Sequence, residues 1–85
     1  MRVDQFLKNS RLIKRRTLAQ TACNSGKVLV NGKVAKPSTP VKVDDFLTIS
    51  FPAYVLEVQI KEIARGVSPE GMYQVLKKEK KGEDL

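Results

Sequence analysis

The spacing of apolar positions changes about a third of the way along the chain, from a helical period to alternation. Val3, Phe6, Leu7 and Ser10 stand at i, i+3, i+4 and i+7, which predicts a short first helix with one mostly apolar stripe. Asn9-Ser10-Arg11 breaks it, and Leu12 and Ile13 are expected to tuck into the core between helices. A second helix is predicted from about Lys14 to Asn24. On it Leu18, Ala19, Ala22 and Cys23 share one face, Thr17, Gln20, Thr21 and Asn24 share the other, and Arg16 lies at the border. Gly26 is the expected left-handed stop.

Strands follow. Val28-Leu29-Val30 and Val34 flank Asn31-Gly32, the strongest short-range signal for a type I′ hairpin. "KPSTPV" is a proline-rich loop. "VKVDDFLTISF" reads as two short strands about an Asp44-Asp45 turn, with Leu47, Ile49 and Phe51 pointing inward. Tyr54, Leu56, Val58 and Ile60 then alternate with Val55, Glu57, Gln59 and Lys61, and "ARGVSPEG" is a loop. Periodicity leaves "MYQVLKK" open between a strand and a helical turn. The fold class is α+β: two short N-terminal helices packed on a small, mostly antiparallel, twisted sheet. One domain is expected over residues 1–76, with residues 77–85 a polar, flexible tail.

Eighty-five residues give a single modest core. The lone Cys23 cannot form an internal disulfide, which fits a reducing cytoplasm. No apolar run approaches the ~20 residues of a membrane span, and the N-terminus has no apolar signal region, so a cytoplasmic location is expected. Catalysis has little to work with. Histidine is absent, which removes Ser–His and Cys–His pairs and His-based metal sites. No phosphate-cradling glycine motif is present, and Asp44-Asp45 reads as a turn. A non-enzyme without cofactor or metal is expected, with Cys23 a buried filler.

Charge changes the picture. Residues 1–36 carry nine Lys or Arg (Arg2, Lys8, Arg11, Lys14, Arg15, Arg16, Lys27, Lys33 and Lys36) against Asp4 alone, a local net charge of +8. Residues 37–85 carry seven cations and eight acids, a net −1. Three successive cations open the second helix, where unpaired N–H groups already make the backbone positive. That arrangement costs stability unless an anion sits there. Nucleic-acid phosphate fits a surface drawn from two helices and a hairpin. A membrane fits poorly, because both apolar stripes are needed for the core. Stacking on single strands also fits poorly, since Phe6, Phe46, Phe51, Tyr54 and Tyr73 mostly fall at core-facing positions. Structured RNA held by shape and phosphates fits best.

Particular residues also carry a family resemblance. Arg2-Val3-Asp4, Phe6-Leu7, Arg16-Thr17 with Ala19, Gly26 with Val28 and Val30-Asn31-Gly32, and Val43-x-Asp45-x-Leu47-x-Ile49 resemble the RNA-binding domain named after small-subunit ribosomal protein S-four, or αL motif. The resemblance covers roughly residues 1–51, and Asp44 stands where members often have glycine. Free-standing copies include heat-shock-type proteins and members that serve ribosome-associated quality control in Gram-positive bacteria, which this chain resembles more. The resemblance implies contact with rRNA of the large ribosomal subunit and with peptidyl-tRNA, beside a tRNA-recruiting partner protein; no dimer seam is visible in the sequence, so a monomer is expected.

Carried onto this sequence, the RNA face comprises Arg2, Lys8, Arg11, Lys14, Arg15 and Arg16 on phosphates, Thr17, Gln20 and Asn24 on sugar or phosphate, and Lys27, Asn31, Lys33 and Lys36 extending it. Asn31 is equally explained by its turn, and Asp4 by orienting Arg2 or capping the first helix. A heat-shock-type large-subunit recycling factor, a general structured-RNA regulator and a basic protein-interaction module remain open.

Overall fold

The computed structural model describes residues 1–64 and 66–82. Helix α1 spans Val3–Asn9 and helix α2 spans Arg16–Asn24; strands are β1 (Val28–Val30), β2 (Lys33–Val34), β3 (Phe46–Ser50), β4 (Tyr54–Ile60) and β5 (Tyr73–Lys80). The five strands form one sheet in the order β2-β1-β3-β4-β5, with every neighbouring pair antiparallel. The α+β class and the strand alternation expected from periodicity hold.

One core joins the layers. Val3, Phe6 and Leu7 of α1 and Ala19 and Cys23 of α2 meet Val28, Val30, Leu47, Ile49, Leu56, Val58 and Ile60 from the sheet. Ser10 completes the α1 stripe although it is polar, because its hydroxyl donates to the Leu7 carbonyl at 3.2 Å and accepts the Leu12 N–H at 3.4 Å. Leu12 and Ile13 pack partly buried against this cluster. Cys23 is buried, and burial pushes its thiol up, so it serves as packing.

Turn chemistry ends the elements. Gly26, at φ +75°, closes α2: its N–H donates to Cys23 and that of Lys27 donates to Ala22, the paired bonds of a Schellman end. Asn31 (φ +51°) and Gly32 (φ +84°) are both left-handed, as the type I′ hairpin requires.

Four expectations are corrected. Helix α2 begins at Arg16, because Arg15 is extended (φ −126°, ψ 143°) and precedes the first turn. Leu18 is 53% exposed: α2 meets the core through Ala19 and Cys23, and Leu18, beside them, faces outward. Residues 41–45 form no strand; the Val41 N–H pairs with the Met1 carbonyl at 2.8 Å, and Asp45 turns the chain by accepting the Lys42 N–H at 2.9 Å. Phe46, grouped with aromatics at mostly core-facing positions, is exposed at the start of β3, as the inward alternation of Leu47 and Ile49 requires.

The expected tail is corrected as well. From Tyr73 on, "MYQVLKK" is strand, and β5 continues to Lys80, four residues into the segment read as flexible. Tyr54 to Glu57 of β4 would otherwise leave an edge of unpaired backbone; they pair with Lys80 to Lys77, and the Lys78 ammonium sits 4.4 Å over the Tyr54 ring. The end of that expected tail, residues 83–85, lies outside the described residues.

Exposure sets the energetic contrast. Leu18→Ala is expected to change stability by no more than about 0.5 kcal/mol, as at other surface positions. Leu47→Ala, fully buried between β1 and β4, should cost about 2–5 kcal/mol. Denaturant unfolding followed by circular dichroism checks both.

Candidate nucleic-acid interface

The site is organised by an acid. Asp4 stands in the first turn of α1, where free N–H groups favour a carboxylate, and its Oδ1 accepts the Gln5 N–H at 2.8 Å. The side chain is wholly buried. Arg2, the residue before the helix, donates from Nε to Oδ1 and from Nη2 to Oδ2, both at 3.2 Å. From α2, Arg16 Nε reaches Oδ2 at 3.3 Å and Gln20 Nε2 reaches it at 3.0 Å. Arg16 and Gln20 are four residues apart and therefore share a helix face. One carboxylate thus ties α1 to α2. Burial alone would push its pKa up; the hydrogen bonds from Gln20, Arg16 and the Gln5 N–H, with the Arg16 charge, outweigh that and hold it below the ordinary 3.8.

This revises the view of the basic helix start as an uncompensated cost. Arg16 has a counter-charge inside the fold, twelve residues away in sequence. The same bond orients it. With Nε held on Asp4 and the side chain 44% exposed, the terminal nitrogens of Arg16 have no partner among the described residues. Arg2 is likewise half exposed and held in place. Two guanidinium groups are therefore fixed at their inner edge and open at their outer edge, a geometry suited to phosphate oxygens.

The other site residues distribute around this pair. Lys8, Arg11 and Lys14 line one cleft beside the end of α1. Arg15 stands at the N-cap position of α2 without a side-chain capping bond, with Thr17 exposed on the first turn and Asn24 and Lys27 exposed at its far end. Lys33 and Lys36 are exposed on and after β2. Asn31 is bound at both ends of its amide: Nδ2 donates to Asp45 Oδ1 at 3.1 Å, and Oδ1 accepts the Phe46 N–H at 2.9 Å. Its turn and its partners account for it in full.

Asp45 is the second buried acid, and it holds the hairpin as Asp4 holds the helices. Burial pushes its carboxyl up, but bonds from the Lys42 ammonium (2.8 Å), Asn31 and the Lys42 N–H bring it below the ordinary value. Lys42 joins the basic surface here, a cation that an acid-counting reading of the first 36 residues passes over. Lys77, Lys78 and Lys80 are exposed on β5, where periodicity left strand and helical turn both open and placed the last residues in a tail.

Comparison with known proteins agrees with this architecture. The S4 domain profile matches residues 1–47. Proteins called RQC P-site tRNA stabilizing factor are similar over nearly the whole chain. That of Bacillus subtilis is 46% identical, covering 98% of this chain and 100% of its own length, and that of Halalkalibacterium halodurans is 49% identical, covering 93% of each. Among solved structures, trimeric Heat Shock Protein 15 of Vibrio cholerae superposes with a TM-score of 0.80 at 31% identity, covering 89% of this chain and 81% of that one. The chain belongs to the S4 domain family. Its relatives of that family include RQC P-site tRNA stabilizing factors, matched over 98% and 93% of this chain.

Two outcomes follow from the acid nodes. Arg16→Ala should lower the melting temperature, because a buried carboxylate loses a charged donor; a cost of about 1–2 kcal/mol is expected after allowing for the exposure of Arg16. Differential scanning calorimetry at neutral pH measures it. Both buried carboxyls titrate lower in the folded chain, so the unfolded chain binds more protons in acid. Their stabilisation is fully present above about pH 5 and is lost as pH falls through their folded-state values. Melting temperatures recorded from neutral to acid pH should therefore stay level and then drop, less steeply in the Asp4→Asn Asp45→Asn variant.

Proposed function

We infer that this chain is a non-catalytic RNA-binding protein of the cytoplasm. It associates with rRNA of the large ribosomal subunit and with peptidyl-tRNA, and it stabilises P-site tRNA in ribosome-associated quality control while a tRNA-recruiting partner adds alanine tails to the stalled chain. It acts as a monomer. The observation that carries this reading is the Asp4-held pair of Arg2 and Arg16, open to an anion, on a chain that matches the Bacillus subtilis factor along its full length. The phosphate-facing residues are Arg2, Lys8, Arg11, Lys14, Arg15 and Arg16, flanked by Thr17, Gln20, Asn24, Lys27, Lys33 and Lys36, with Asn31 shaping the hairpin that presents Lys33.

The likeness to Heat Shock Protein 15 favours a second reading, a large-subunit recycling factor that works without tail synthesis. Capture of the protein from cells, followed by sequencing of crosslinked RNA, separates the two. Large-subunit rRNA together with peptidyl-tRNA, and loss of alanine tails in the deletion strain, supports the first. Large-subunit rRNA with tails unchanged supports the second, and no ribosomal RNA overturns both.

Salt reports the phosphate contacts. With five or six phosphates neutralised, log affinity for large subunits should fall against log salt with a slope of roughly −4 to −5. Sedimentation binding across a potassium chloride series measures it.

A further inference from the structure

Beside the end of α1 the chain forms an open cleft of about 690 Å³, within the range of small-molecule sites. Its two walls differ in chemistry. Lys8, Arg11 and Lys14 line the cleft from α1 and the turn after it, and Ile63, Val67 and Met72 line it from the segment between β4 and β5. No acid lines it among the described residues. Ile63 and Val67 are part-exposed and pack on the core, and Met72 is buried, so the apolar wall is anchored.

Arg11 supplies a second observation. It holds φ +62°, the left-handed region that a non-glycine residue rarely adopts. The position is the helix terminus, where its N–H donates to the Lys8 carbonyl at 3.0 Å and where glycine or asparagine is the ordinary choice. A strained arginine at a place that favours glycine directs attention to its side chain, which lines the cleft.

We propose that this cleft receives one unstacked nucleotide of the bound RNA, its base against Ile63, Val67 and Met72 and its flanking phosphates on Lys8, Arg11 and Lys14. Charge complementarity selects a phosphate-bearing occupant over an apolar peptide, and the apolar wall selects a base over a bare phosphate track. Every base has an apolar face, so the cleft reads an extruded nucleotide rather than a sequence. The proposal rests on RNA being the partner and adds a role for Ile63, Val67 and Met72, which lie outside the matched residues 1–47.

The test uses the full chain with large ribosomal subunits purified from cells grown in 4-thiouridine. Irradiation at long wavelength, nuclease and protease digestion and mass spectrometry locate the crosslinked uridine. A uridine adduct within residues 63–72, or on Met1 or Gln5 of the cleft, is the expected result. Adducts confined to α2 and the β1–β2 hairpin overturn the proposal and leave RNA binding intact; absence of any adduct, with no cosedimentation, overturns the RNA reading itself.

Two variants add an affinity readout. Val67→Asp, with its melting temperature checked, should weaken subunit binding about tenfold and abolish the cleft adduct. Arg11→Gly should melt at a higher temperature yet bind several-fold more weakly. Wild-type binding by both variants overturns the proposal.

Discussion

A carboxylate with no access to water governs the basic half of this molecule. Asp4 is buried, yet four donors from three residues of two elements and the neighbouring backbone N–H satisfy it. An unpaired buried carboxylate would be costly, so each donor is held in place by the expense of losing it. That constraint sets where α2 lies against α1 and which edges of Arg2 and Arg16 face outward. A dense positive surface would otherwise scatter its side chains; here two of its guanidinium groups are fixed before any anion arrives, which lowers the ordering cost of binding.

Asp45 repeats the device at the other end of the basic region. It ties the β1–β2 hairpin, through Asn31, to the turn before β3, through Lys42. Asp44 precedes it at φ +78°, a left-handed conformation that an L side chain rarely adopts and glycine enters freely. The two acids use one principle. Asp4 pairs with Arg2 and Arg16 and Asp45 with Lys42, and each joins segments distant in sequence: α1 to α2, and the hairpin to the 41–45 turn. The sheet behind them offers one face to the helices and anchors the segment between β4 and β5, which carries the apolar wall of the cleft beside Arg11.

Local signals in the sequence determined a good deal. The 3–4 spacing of Val3, Phe6 and Leu7, the glycine ending α2, the Asn31-Gly32 turn and the alternation through β4 depend on neighbours within a few residues, so they are legible without tertiary contacts. The acid-free run from Gln5 to Val43 likewise displayed the charge asymmetry directly. Tertiary structure decided the rest, and in each case a distant partner set the outcome. Leu18 carries an apolar side chain on the predicted face, but burial requires an opposing layer, and none covers it. The lysine-rich stretch after Met72 has no pattern of its own; it becomes a strand because β4 has an edge to satisfy. The counter-charge of Arg16 comes from Asp4, and no reading of the α2 segment alone contains it, because Coulomb and hydrogen-bond partners are chosen by folded proximity rather than by order along the chain.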